Sequence, residues 1–282
     1  MKKTIATVAI AAGMLATPAM AQAQNVAPGG FYVGALAGYD ESESVAPEDM
    51  PQLERYVLAR LKEVDSALRA AATGYDFDRY VRTLVDFCNE DLSAFYFDIR
   101  KDRLYCDAPD GVERRAYRTV LDTLFHALVR YTAPVLVFTA EEVWGTRFPD
   151  AGSIHLETWR DLPDWRDDDL SERFAALRTL REDVMEAIEP LRREKIVRSG
   201  LEADVTVPAD RVPEGFSDAD LAEAFITASV TRSDSAAVTA SRSSEDKCGR
   251  CWRLLLSVAE DGALCDRCEA VVAELDAEGA SS

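Results

Sequence analysis
Apolar residues recur at helical spacing over most of this chain. From Pro51, the series Leu53, Val57, Leu61, Val64, Leu68 steps by three and four, which marks one buried helical face. Pro51 suits a first helical turn, and Gly74 suits a stop. A second stripe begins near Asp76 with Phe77, Val81, Leu84, Cys88, Leu92 and Phe95, and breaks around Asp107, Pro109 and Gly111. A third carries Val120, Leu121, Leu124, Leu128 and Tyr131, and Pro134 ends or kinks it. Thr139 to Glu142 has the form of a capping box ahead of Val143 and Trp144. Residues 170–198 predict a long helix with Phe174, Leu177, Leu180, Val184, Ile188 and Leu191 inward, and a kink near Pro190. Isolated helices of this kind are marginal in water, so the stripes predict a bundle.

The pattern changes after Gly200. Residues 203–207 alternate as a short strand, 218–228 read as a helix, and 231–246 are Ser- and Ala-rich, a weak strand or linker. The expected fold class is mainly α. A helix bundle over 48–200 is followed by a small α/β junction over 201–246 and a four-cysteine zinc finger over 247–275.

The finger carries the sharpest chemical signal. Cys248 and Cys251 form one C-x-x-C knuckle, and Cys265 and Cys268 form another after thirteen residues. Two knuckles at that separation turn four sulfurs toward one point, and four thiolates complete a tetrahedron with no open position for water. The pattern predicts one structural zinc ion and no catalytic metal. Two redox pairs or two disulfides are the competing reading, but no βαβ pattern precedes Cys248. Cys88 and Cys106 lie in apolar, aromatic segments and read as buried free thiols.

The N-terminus points elsewhere. Lys2 and Lys3, an apolar run over 5–16 and Ala21-Gln22-Ala23 have the form of a secretory leader over residues 1–23. The run is too short to span a bilayer. Residues 24–47 add a strand-like stretch, Gly30 to Tyr39, and an acidic linker. Leader and stretch resemble the start of a bacterial outer-membrane β-barrel protein, yet the alternating strands of a barrel do not follow. The chain reads as a junction of two unrelated pieces. The leader would direct export to the periplasm.

Composition adds a global constraint. The formal net charge is −19, which taken as a whole opposes nucleic-acid binding, although a local basic face can still hold phosphate.

Several strings match one family in order. Residues 72–78 and 87–105, the latter including Tyr96-Phe97-Asp98-Ile99-Arg100-Lys101-Asp102-Arg103, resemble the anticodon-binding helical domain of isoleucyl-tRNA synthetase. Residues 133–144 resemble a helix junction shared by several class I synthetases. Residues 193–203 are similar to the segment leading out of that domain, and 247–252 to the opening of its C-terminal zinc finger. The resemblance implies a tRNA-binding tail with a structural zinc, and a cytoplasmic address for the body. It also implies ATP chemistry in a Rossmann-type domain with HIGH-like and KMSKS-like motifs. Neither string is present, and His126 and His155 lack that context. The expectation is therefore a chain with no catalytic residues, no small-molecule site and no aminoacylation activity alone. No membrane partner is expected for the body.

The cations offer two readings each. Arg100, Lys101 and Arg103 close the second helix, and Arg192, Arg193, Lys195 and Arg198 close the long one. Pairing with a helix C-terminus and ordinary solvation is one reading, and phosphate contact is the other. Arg250, Trp252, Arg253 and Arg267 sit in the finger. An aromatic between arginines can stack an unpaired base while guanidiniums hold phosphate, or the indole can pack over the knuckle. The candidate tRNA contacts are Trp252, Arg250, Arg253, Arg267, Arg100, Lys101, Arg103, Arg193 and Lys195. His126 reads as a core histidine, and Glu141 and Glu142 as cap and dipole residues. Two other functions stand as alternatives: an exported zinc-binding structural or interaction protein, and a DNA-glycosylase-type zinc-finger protein.

Overall fold
The computed structural model describes residues 44–279. The leader-like residues and the strand-like stretch lie outside the described residues. The chain divides into two compact units, residues 44–100 with 109–167, and residues 101–108 with 168–279.

The first unit is helical. Helix α1 spans Gln52–Thr73, stopped at Gly74, and α2 spans Phe77–Asp86, with the Asp76 side chain accepting from the Arg79 N–H. The second predicted helix is not uniform. Residues Phe87–Phe97 form a π-helix, and α3, Asp98–Cys106, follows it, with its residues from Lys101 onward belonging to the second unit. Helix α4 spans Val112–Thr132 and α5 spans Val137–Arg147. Leu61, Leu68, Leu92, Val120 and Leu124 are fully buried, so most stripe positions form the core, but Phe77 and Val81, which open the second predicted stripe, are exposed instead.

The capping box predicted at Thr139 is corrected by the structure. Helix α5 starts three residues earlier than that box requires, at Val137, with Leu136 as N-cap and no side-chain cap. The preceding turn, in which the Leu136 N–H donates to the Thr132 carbonyl, already directs the chain into the helix. Glu141 caps the next turn instead, accepting from the Ser153 hydroxyl at 2.8 Å and the Ile154 N–H at 3.1 Å.

Two buried polar pairs cross this unit, although other buried atoms, Asn89 Oδ1 and Trp144 Nε1 among them, find no hydrogen-bond partner among the described residues. Arg100 grips Glu54 through two 2.7 Å bonds, and the Tyr131 hydroxyl donates to Asp65 at 2.7 Å. His126 is buried against Phe148, with ring centroids 5.5 Å apart. Burial first, and then Arg160, Arg147 and Arg130, lower its pKa to about 3. Asp122 lies 3.9 Å away and favours the charged ring, but Arg147 occupies that carboxylate. The folded state thus binds the proton less tightly than the unfolded chain, whose histidine titrates near 6.5. The stabilising contribution is complete above that value and falls away as pH drops toward about 3. The expected slope is at most about 1.4 kcal/mol per pH unit. Urea midpoints between pH 7 and pH 4 should fall less steeply in His126→Gln than in the parent chain.

The second unit is mixed. Helix α6 spans Asp168–Arg193, with Asp168 and Asp169 in its first turn, Arg192 and Arg193 in its last, and Pro190 near its end. Strand β1 (Ala203–Pro208) is the centre of a three-stranded sheet of order β2-β1-β3. It pairs in parallel with β2 (Ser229–Ser233) and antiparallel with β3 (Thr239–Arg242). Helix α7 (Asp218–Phe225) has a complete capping box between Ser217 and Asp220 and packs on β2, while α6 packs on β3. Helix α8, Asp266–Gly279, closes the described chain. No helix among the described residues is long and apolar enough to cross a membrane.

Candidate functional site
The first knuckle is a tight reversal. Lys247 and Leu254 bridge antiparallel, the Cys248 N–H donates to the Arg253 carbonyl at 2.9 Å, and the Trp252 N–H donates to the Cys248 carbonyl at 3.0 Å. The second knuckle opens α8, with the Glu269 N–H bonded to the Cys265 carbonyl at 2.9 Å. Gly249 meets Gly262 across the turn. A Cβ at Gly249 would lie 2.4 Å from the Gly262 carbonyl oxygen, which is backbone and cannot rotate away. Gly249→Ala should therefore force the two segments apart, at a cost of about 1–3 kcal/mol. Metal retention against a graded chelator would read this loss.

The four sulfurs of Cys248, Cys251, Cys265 and Cys268 are buried and lie within 4.8 Å of one another. The Cys251 and Cys265 sulfurs are 3.9 Å apart. Metal–sulfur bonds of about 2.3 Å in a tetrahedron give sulfur separations of about 3.8 Å, so the set fits one ion. It is too open for a disulfide, whose bond is about 2.05 Å. Backbone N–H groups aim at the sulfurs. Burial raises the Cys248 pKa, but the N–H groups of Cys251, Arg250 and Cys265 outweigh it and bring the thiol down to about 6. Burial and neighbouring sulfurs push Cys251 and Cys265 upward, and a cation at the centre relieves that repulsion. Cys106 lies in the same buried cluster without belonging to the four, and burial pushes its thiol up to about 12. Cys88 is likewise a buried free thiol.

The candidate cations separate into two groups. Arg100 is buried and committed to Glu54. Arg103 donates through Nε and Nη2 to Glu223, both at 2.9 Å. Arg267 donates to Asp102 at 2.7 and 3.0 Å and to Asp107 at 3.3 Å. Burial alone would lower its pKa, but those carboxylates hold it raised. Arg250 donates to the Cys106 and Tyr105 carbonyls at 2.6 and 3.2 Å and reaches the Cys268 sulfur at 3.7 Å. Arg250 and Arg267 therefore clasp the cysteine module to the end of α3.

The others differ in exposure. Lys101, Arg193 and Lys195 are exposed. Arg253 is half-buried, and its Nε has no hydrogen-bond partner among the described residues. Trp252 is 63% exposed and holds φ at 66°, a left-handed conformation that a bulky residue adopts only under local constraint. The Lys247 ammonium lies 5.7 Å from its ring centroid. Sequence reasoning missed Lys247 as a partner of this indole, although it directly precedes Cys248.

The family described as the anticodon-binding domain of tRNA ligase matches residues 54–207. The isoleucine–tRNA ligase of Zymomonas mobilis subsp. mobilis is 56% identical over 253 residues, covering 86% of this chain and 27% of the relative. Those of Brucella abortus biovar 1 and Gluconobacter oxydans are 42% and 41% identical, covering 82% and 86% of this chain and 25% and 26% of theirs. The chain thus spans about a quarter of the length of the curated relatives it matches.

Proposed function
Since this chain belongs to the family of tRNA-ligase anticodon-binding domains, we propose that it holds the anticodon region of an isoleucine-accepting tRNA, with one zinc ion as a structural element. The observation that carries the proposal is Trp252, an exposed indole held in a left-handed conformation beside a four-cysteine centre. Unpaired loop bases offer flat faces to such a ring, and the cost of a bulky side chain at positive φ is offset if a base stacks there. Arg253, Arg193 and Lys195 supply phosphate contacts. Arg250, Arg267, Arg103 and Arg100 contribute by fixing the scaffold, since carboxylates and carbonyls engage their donors.

Zinc fits the donor set because four thiolates at tetrahedral spacing suit a soft-tolerant, redox-inert ion. Its chemistry here is structural, with every position filled by sulfur. No step of aminoacylation is assigned to residues 44–279; their share is to hold the tRNA. We place this body in the cytoplasm, where tRNA resides. The glycosylase alternative draws support only from the finger, whereas the family match lies over the helical body.

Titration of the purified chain with isoleucine-accepting tRNA and with duplex DNA, at two salt concentrations, tests the reading. Tighter binding of tRNA at both is expected. Trp252→Ala should weaken it by about 1–3 kcal/mol. Equal affinity for the two nucleic acids would contradict the proposal.

A further inference from the structure
The long helix α6 ends in a cation-rich turn that the aromatic site does not use. Arg193, Lys195 and Arg198 are all exposed, and Arg242 on β3 is exposed beside them, donating to the Ile196 carbonyl at 2.9 Å. Among the described residues, none of these four heads makes an ion pair. Arg79, Arg160 and Arg253 make none either, so it is the grouping of four on one turn and strand that stands out, in a protein of formal charge −19 where Arg55, Arg60, Arg69, Arg82, Arg130 and Arg147 all find carboxylates. The carboxylates near the turn do not neutralise it. Glu189 faces Arg192 at 3.7 Å, Glu202 accepts from the Arg198 backbone N–H at 2.9 Å, and Glu194 is exposed.

The backbone of the turn is fixed. The Lys195 N–H donates to the Arg192 carbonyl at 3.1 Å, the Ile196 N–H donates to the Leu191 carbonyl at 2.9 Å, and Val197 is buried. Lys195 itself sits at φ 59°, the left-handed position after a helix where glycine is favoured. A lysine there is strained relative to glycine. The helix dipole accounts for Arg193 in the last turn, but Lys195, Arg198 and Arg242 lie beyond it. Presenting several unpaired cations from a rigid turn and an adjoining strand is the form of a phosphate-binding surface.

We infer that Arg193, Lys195, Arg198 and Arg242 form a sequence-blind binding surface for the phosphodiester backbone of the tRNA, separate in role from base stacking at Trp252. This rests on the tRNA reading above and adds Arg198 and Arg242 to the contact set.

The test compares the full chain with Arg193→Gln/Lys195→Gly/Arg198→Gln, using isoleucine-accepting tRNA and, as a second ligand, single-stranded poly(U). Glycine at position 195 relieves the backbone, so the variant should fold at least as well there, which a thermal melt checks. The expected result is a shallower dependence of log K on log salt, by about 2, for both ligands. Arg242→Gln alone should reduce it by about 0.7–0.9. Unchanged slopes with tRNA still bound would overturn the surface and leave the tRNA reading standing. Lost poly(U) binding in the variant, with no tRNA preference in the parent chain, would support the surface and sink the tRNA reading. No binding of either ligand at low salt would overturn both.

Discussion

With zinc held by the four cysteines as proposed, stripping it with a chelator should unfold residues 247–279 and leave the first helical unit folded. The module has almost no core of its own. Its buried cluster is Cys248, Cys251, Cys265, Cys268 and Val258, joined by Cys106, so sulfur is most of what it buries. A segment this short cannot offset its conformational entropy without a metal or a disulfide. Structural zinc supplies on the order of 10 kcal/mol to such modules. Cys265→Ser should have the same consequence, since its sulfur is buried in the four-sulfur set. The Arg250 and Arg267 clasp would be lost with it, and the end of α3 should loosen. Amide exchange followed with and without chelator reads the pattern residue by residue. Fast exchange in α8 with protected amides in α1 and α4 is the predicted outcome. Global unfolding, or no change, would contradict it.

Glu54→Gln should be the most destabilising single change in the helical unit. Glu54 is fully buried, and Arg100 binds both its oxygens at 2.7 Å while the Tyr96 hydroxyl lies 3.4 Å away. An amide cannot balance the guanidinium, which would remain charged and buried. Breaking such a pair costs about 3–5 kcal/mol, whereas replacing both members by apolar groups is often near neutral. Glu54→Leu with Arg100→Met should therefore recover most of the loss. Denaturant midpoints of the two singles and the double form the cycle. A double variant as unstable as Glu54→Gln would show that the pair is not the source of the effect.

Local patterns were legible in the sequence, and long-range pairings were not. The helical stripes, the Gly74 stop and β1 follow from spacing alone, because burial of one face imposes a period. The four cysteines were legible because both knuckles are local. The π-helix over Phe87–Phe97 was not, since over so short a run its apolar pattern does not differ from that of an α-helix. Thr139 misled because a capping box is a pattern of residue types, whereas the helix start was set by the turn at 132–136. The cations show the limit best. Arg100 finds Glu54 forty-six residues away, and Arg267 finds Asp102 at a separation of 165. Nothing in the string distinguishes them from Arg193 or Lys195, which face solvent. The left-handed backbone at Lys195 and Trp252 likewise has no signature in residue type, since glycine is what that conformation favours.

If this chain grips the anticodon end of a tRNA, as proposed, that end alone should suffice for binding. The most direct test is binding of two fragments of an isoleucine-accepting tRNA, the anticodon stem-loop and the acceptor minihelix, at equal length and salt. The stem-loop should retain most of the affinity of the whole tRNA, and Trp252→Ala should reduce it. A minihelix that binds as well as the stem-loop, or a stem-loop that does not bind, would contradict it.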